Sequence, residues 1–408
     1  MMWITLFLKE CKEIGRSITY YIFLACLSVF FVSQMGSVDA VSEPLPGAES
    51  YGWKYSEEED VIMYSALDNL LFELGRNSFV TYPIGFYKQV ILSENEQEEI
   101  YELLEDVVEQ SKDDLTEAVK KYAGSMDHSA VESINIRPDM TYEEFCDVFN
   151  RIDKILGGGS KYSDERIYSH AIVSKTYEEA MDDYRSIIEN DHVSGAYARL
   201  FADYMGIILA ILPVFLAVTR VLKDRRAKAE QVIYSKGRSS AVIILTRYTA
   251  IIAMTLLPVI ILSINPLLQT IYVAANNGIT ADYFAFIKII FGWVLPTILF
   301  SVSMGFLLTE LTNGLLAILL QAIFWIVSVF AANTIIVGYV GWNLVPRFNT
   351  VGSYEVFISI FNDLVKNRIF YTIISILMLF GSIILYDMKR RGRMHLDRAL
   401  SKDIKSKS

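Results

Sequence analysis

Gly157-Gly158-Gly159-Ser160-Lys161 brings together three glycines, a hydroxyl and a lysine, the ingredients of a phosphate cradle. A P-loop needs a fixed glycine spacing before Gly-Lys-Ser/Thr and an apolar strand leading in, and both are missing. The stretch reads as a helix stop and a turn. Carboxylates crowd Ser37–Ala198, yet none pairs convincingly as an acid/base couple. They read as charge on solvated helix faces, with attraction of a cationic substrate as the sharper alternative. His128, His170, His192 and His395 are scattered without zinc-site spacing and read as surface residues. Walker A, HExxH, GxSxG and the glycine-rich dinucleotide fingerprint do not occur. The chain is therefore expected not to be an enzyme, with no catalytic residue, metal ligand or cofactor site of its own.

One cluster could still work on a partner. Leu200–Val221 has the length of a spanning helix, which takes roughly 17–25 apolar residues. Arg220, Lys223, Arg225, Arg226, Lys228, Lys236 and Arg238 follow within a short loop. Such loops mark the cytosolic face of a membrane protein, and topology alone accounts for the bases. Topology does not require Asp224 and Glu230 among them. Asp224–Tyr234 also lacks Gly and Pro, so a short helix along the membrane face is expected, which would suit docking. Nucleic acid is not an expected partner, because the bases gather at membrane ends.

The elements that position this loop follow from hydropathy. Of the 408 residues, 53% are AVILMFWYC, which points to a membrane protein. Ser37–Ala198 holds 35 of the 47 acids and 13 of the 37 bases, a net of −22 that leaves +12 elsewhere. Two domains in two environments are implied. Of Cys11, Cys26 and Cys146, only Cys146 lies in the acidic block, so no disulfide forms within it. A core drawn from roughly 160 residues is enough to hold it. Its helices are expected over Glu57–Arg76, from Ser93 to about Gln110, from Thr141 to the glycines, and over Thr176–Asn190.

Met1–Arg16 forms an amphipathic interfacial helix. Six spans follow: Ser17–Met35, Leu200–Val221, Ala241–Ile264, Tyr283–Leu308, Leu315–Val337 and Ile369–Tyr386. A cleavable signal ending near Ala40 is the competing reading of the first, and it leaves the acidic block on the same side. An even count puts both termini together, and Lys389-Arg390-Arg391-Gly392-Arg393 marks that side as cytosolic. Val356–Leu364 is too short to span and reads as a re-entrant or interfacial helix. Among polar groups at membrane depth, Asp203, Asn265 and Glu310 lie near span ends and can snorkel, while Gln321 is the best candidate for a buried contact between helices. Pro213, Pro258 and Pro296 are positioned to bend their spans. The fold class is thus an all-α polytopic membrane protein, divided into 1–36 (interfacial helix and first span), 37–198 (acidic, mostly helical, extracellular) and 199–408 (spans two to six, with loop 223–240 and the basic tail).

This layout resembles ABC type-2 exporter permeases. The passages that carry the resemblance are YARLFADYMGIILAILPVFLAV, the KDRRAKAEQVIYSKGRSS loop leading to Arg247-Tyr248, and FNRIDKILGGGSKYS. They are similar to permeases of Gram-positive bacteria with an extracellular insertion between the first two spans. The resemblance implies pairing with a second permease chain, identical or homologous, and with separate ATPase subunits that bind ATP and magnesium. It makes Lys223, Asp224, Arg225, Arg226, Glu230 and Tyr234 the residues that couple to the ATPase. It places the protein in the cytoplasmic membrane, in contact with lipid.

Two functional readings follow. In the first, a peptide or lipid-like cargo is exported, the acidic domain favouring a cationic peptide. In the second, the external domain binds a ligand or envelope partner and the spans relay that event with no cargo crossing. A lateral or central cavity would favour the first reading.

Overall fold

The computed structural model describes residues 2–36, 38, 41–83, 87–123, 134–228, 233–234, 237–331 and 340–393. The chain divides into two compact units, residues 44–181 and residues 1–43 with 182–408. The larger unit begins with α1 (Met2–Gly15) and α2 (Ile18–Met35). Ser17 separates them, its hydroxyl accepting from the Tyr20 amide at 3.2 Å as the N-cap of α2. On α1, Phe7, Cys11 and Ile14 turn toward the core, whereas Trp3, Ile4 and Leu8 are exposed.

The unit 44–181 contains β1 (Trp53–Tyr55), α3 (Glu59–Arg76), β2 (Phe79–Thr81), β3 (Lys88–Val90), α4 (Glu94–Glu105), α5 (Lys112–Ala123), α6 (Tyr142–Ile155) and β4 (Ile172–Ser174). Its strands pair antiparallel as β1–β4 and β2–β3. Leu67, Leu70 and Leu71 of α3 meet Ile100 and Leu104 of α4 and Phe145 and Phe149 of α6 in one core. Capping boxes fix the starts of α4 and α6: Ser93 with Glu96, and Thr141 with Glu144. Helix α4 stops at Glu105, short of the expected Gln110, because Val107 and Asp106 turn to bond the 135–137 segment. Gly157, Gly158 and Gly159 all have positive φ and end the α6 run, as a stop and turn require. At Gly159 a side chain is excluded twice over, since its Cβ would lie 2.5 Å from the Tyr82 backbone.

His170 belongs to this unit and is not a surface residue. Its ring stacks on Tyr162 with centroids 4.9 Å apart, and the Tyr162 hydroxyl donates to Glu73 at 2.7 Å. Burial pushes the imidazole down to about 4 and lifts the Glu73 carboxyl above its usual range. The unfolded chain takes up a proton on His170 below its ordinary value of 6.5. The folded state resists uptake until about 4, so stability held at neutral pH is lost as pH falls through that window. Glu73 acts in the opposite sense, favouring the folded state at low pH. Amide hydrogen exchange on the intact chain should show residues 44–181 losing up to ~3 kcal/mol between these pH values. His170→Phe, which keeps the stack, should flatten the loss; an unchanged slope would assign it elsewhere.

In the larger unit the chain continues through α7 (Tyr177–Glu189), α8 (Ser194–Leu209), α9 (Leu212–Arg226), α10 (Ser240–Asn276), α11 (Ala285–Ile289), α12 (Leu295–Thr312), α13 (Leu316–Ala331) and α14 (Tyr354–Arg390). A π-helical turn, Ile290–Val294, joins α11 to α12. Among the described residues, four helices are long and apolar enough to cross a membrane: α2, α10, α11–α12 as one, and α14. The pair α8 and α9, bent by 40°, makes a fifth if counted as a single span. The protein is mostly helical and polytopic in character.

Three boundaries differ from the sequence expectations. Helix α10 runs past Ile264 to Asn276, with Pro258 and Pro266 inside it. Val356–Leu364 is not a separate helix; it is the first half of the unbroken α14. The polar run Asp363–Arg368 interrupts hydropathy there, but it contains no Gly or Pro to interrupt the backbone. The third difference lies at the α8/α9 break. Pro213 has no N–H to offer Leu209, and the chain kinks just before it. Side chains of α13 take two of the loosened carbonyls: Gln321 Nε2 donates to Ala210 O at 2.5 Å and Trp325 Nε1 to Ile207 O at 2.8 Å. Close by, α12 crosses α9 at Gly305, where a Cβ would fall 2.6 Å from that of Ala217.

Candidate functional site

The last turns of α9 carry the densest cluster of charges in the larger unit. Arg220, Lys223 and Asp224 share one face at i, i+3 and i+4, so Arg220 reaches Asp224 one turn on at 3.2 Å, and Arg225 and Arg226 follow on the neighbouring faces. Bases in a last turn also suit the negative end of the helix dipole. The helix ends at Ala227 and Lys228, whose amides bond back to Lys223 and Arg225, with Lys228 at a φ of 53°. Asp224–Arg226 is therefore the end of the long helix, not the start of a separate short one. Glu230 lies outside the described residues.

Four other helix ends converge on this turn. From α1, Glu10 accepts from Arg220 Nε at 2.6 Å and Nη2 at 2.7 Å, a bidentate pair, and Glu13 pairs with Lys223. The Lys223 ammonium holds the Glu13 carboxyl below its usual range. From α10, Arg247 donates to Asp224 and lies 3.6 Å from Glu10. From α12, Glu310 accepts from Arg225 at 3.2 Å and from Lys389 of α14 at 3.1 Å. Lys389 also donates to the Glu310 carbonyl and, at 2.7 Å, to Asn313, the left-handed C-cap of α12. Ser240 donates to Asp387 at 2.8 Å, and Arg390 grips the carbonyls of Tyr234 and Arg238. The Tyr234 ring stands edge-on to Tyr386 at 5.6 Å.

This arrangement sorts the predicted residues. Asp224, Arg225 and Glu310 are tied into the helix bundle, Lys223 is half-exposed against Glu13, and Tyr234 rests on α14. Arg226 and Lys228 are exposed. The remaining three predicted polar residues lie apart. Asp203 is fully buried and does not snorkel: one carboxylate oxygen accepts from Arg347 Nε and the Phe348 amide, both at 2.7 Å. Gln321 plugs the α8/α9 break. Asn265 is exposed on α10 and accepts from Gln269 at 3.0 Å.

Sequence reasoning missed Glu10, Arg247, Lys389, Arg199 and Arg368 as site residues. Lys389, Arg199 and Arg368 sit just beyond the ends of the apolar segments, where a charge reads as a boundary, and Arg247 lies two turns inside one. An arginine within a helix length of apolar residues was the available signal. No protein-family model matches the sequence, and neither a curated protein nor a solved structure does.

Among the described residues the acids of the cluster are all paired, an arrangement that binds helix ends together and presents charge. Glu310 is 3% exposed and is shared between two cations. Glu310→Ala should lower stability by about 3–5 kcal/mol, the cost of breaking a buried pair. Thermal unfolding in detergent would measure it. A loss under ~1 kcal/mol would mean that water screens the pair.

Proposed function

We propose that this chain is the permease subunit of an ATP-driven ABC exporter in the cytoplasmic membrane, with hydrolysis in a separate ATPase that docks beside the end of α9. The observation that carries this reading is the convergence of α1, α9, α10, α12 and α14 on one paired-charge cluster beside the exposed Arg226 and Lys228. A push on that turn would reach α1, α10 and α12 through ion pairs to α9, and α14 through Glu310. The resemblance of the KDRRAKAEQVIYSKGRSS loop to the family's coupling segment supports the same reading.

On this proposal six spans cross the bilayer: α2, α8 with α9, α10, α11 with α12, α13, and α14. Helix α13 has 16 residues, and the α8/α9 break seats its polar side chains. The basic end and both termini face the cytosol, and the acidic unit lies outside. The chain pairs with a second permease, and its cargo is a peptide or an amphipathic, lipid-like molecule. An apolar cavity on the flank of α14 favours export over pure signal relay.

The test separates docking from folding. Arg226→Glu with Lys228→Glu changes exposed charge only, whereas changes at Asp224 or Arg225 also cut the helix ties. Full-length chain purified with its ATPase partner should lose ATPase recovery and stimulation in the double variant, at an unchanged melting temperature. Full recovery of both would place the coupling surface elsewhere. Absence of any ATPase from the wild-type complex would overturn the permease reading.

A further inference from the structure

The first half of α14 stands against α11, the π turn and α12, and a cavity of about 660 Å³ lies between them. That volume is ordinary for a small-molecule site. Phe291, Trp293, Phe357, Phe361, Leu364 and Ile373 form much of its wall. Its mouth opens sideways. Phe291, Ile369 and Ile373 line the cavity and are also exposed, and Ile376 and Leu377 continue the exposed apolar stripe along α14. A ligand entering here arrives from the apolar flank of two spanning helices.

The polar groups on the wall share one sign. Arg368 is 5% exposed, and its donors go only to neutral acceptors: Asn367, Thr297 Oγ1 at 2.8 Å, and the carbonyls of Trp293, Leu344 and Asn343 at 3.2, 3.2 and 3.3 Å. No carboxylate pairs with it among the described residues, an expensive condition for a buried cation. The Trp293 indole N–H is buried without a partner. Arg199 is bidentate on Asp191, but its Nε is likewise buried and unsatisfied. At the rim Lys288 and Asp282 neutralise each other at 2.6 Å. The charges lining the cavity thus sum to one excess cation, and every unsatisfied polar atom on its wall is a donor.

Depth supplies the last constraint. From Arg368 to Arg390 the helix rises about 33 Å, one hydrocarbon core of roughly 30 Å. Asp363 and Lys366, both exposed, lie just beyond Arg368. Arg368 therefore sits at headgroup level, opposite the basic end, with Ile369 and Ile373 on its hydrocarbon side.

We propose that this cavity binds an anionic phospholipid, its phosphate accepting from the Trp293 indole N–H and drawn by the charge of Arg368, whose own donors are already committed, with an acyl chain running along Ile369 and Ile373. Phe357 and Phe361 keep water from the head, which strengthens the attraction of phosphate for the unpaired guanidinium. The uncompensated charge gains its counter-ion, and the indole N–H gains an acceptor. The proposal rests on the membrane placement of α14 and not on the ATPase, so the two tests fail independently.

Native mass spectrometry of full-length protein in mild detergent, with phosphatidylglycerol or phosphatidylcholine added, tests it. One phosphatidylglycerol should be retained per chain, at least tenfold more tightly than phosphatidylcholine. Gly292 lines the cavity, and a Cβ there meets nothing within 4 Å. Gly292→Phe should therefore abolish retention without lowering the melting temperature. Trp293→Phe keeps the ring and removes only the N–H, and should weaken retention about tenfold, the scale of one hydrogen bond. Equal retention of both lipids overturns the proposal, as does undiminished retention in both variants. Displacement by millimolar inorganic phosphate would assign the site to free phosphate, and displacement by a cationic peptide would reverse its charge preference; either result also overturns it.

Discussion

Charges taken out of water are costly unless paired, and at the basic end of this protein their pairing fixes how the helices meet. Glu10, Arg220, Asp224 and Arg247 form one neutral group, and Glu310 with Arg225 and Lys389 forms another that carries one excess positive charge. The members come from α1, α9 and α10 in the first group and from α9, α12 and α14 in the second, so these helices cannot slide past α9 without exposing or stranding a charge. The apolar faces of α2, α10, α12 and α14 set which helices touch, but dispersion is tolerant of small shifts. The ion pairs are not. They give the bundle one register at its basic end.

The opposite end is pinned differently, by side chains that answer irregular backbone. Asn367 and Arg368 of α14 collect carbonyls from the 340–344 segment, and Asp203 holds Arg347 and the Phe348 amide. Non-helical backbone at membrane depth survives only with partners of this kind. Asp203 shows how the sequence misleads here. Its position near a span end suggested access to water, yet the segment that returns after α13 covers it completely. That segment's path is a property of tertiary structure, invisible in local pattern.

Local rules were legible wherever the signal and its target lay within one helical turn. Ser93/Glu96 and Thr141/Glu144 announced two helix starts, and the triple glycine announced a stop. Lengths of apolar sequence announced α2, α10 and α14. The strands escaped notice because each is only three residues long and pairs across up to 121 positions of sequence. His170 read as a surface residue because nothing near it in sequence reveals that Tyr162 and Glu73 enclose it. The α14 boundary failed for a different reason: hydropathy reports what surrounds a helix, whereas continuity depends on backbone torsions, and Asp363–Arg368 satisfies one helix through two surroundings.

That continuity makes α14 a rigid beam. Its 37 residues extend about 55 Å, far more than the roughly 30 Å of hydrocarbon it would cross. Lys389 and Arg390 clamp one end to α12 and to the carbonyls of Tyr234 and Arg238, so a tilt of the beam would turn about that end. A few degrees of tilt at the clamp becomes a displacement of several ångströms at Tyr354, while the midpoint near Arg368 moves about half as far. Any such tilt would be geared, growing toward the tip and graded along the cavity wall, with no hinge residue needed between them.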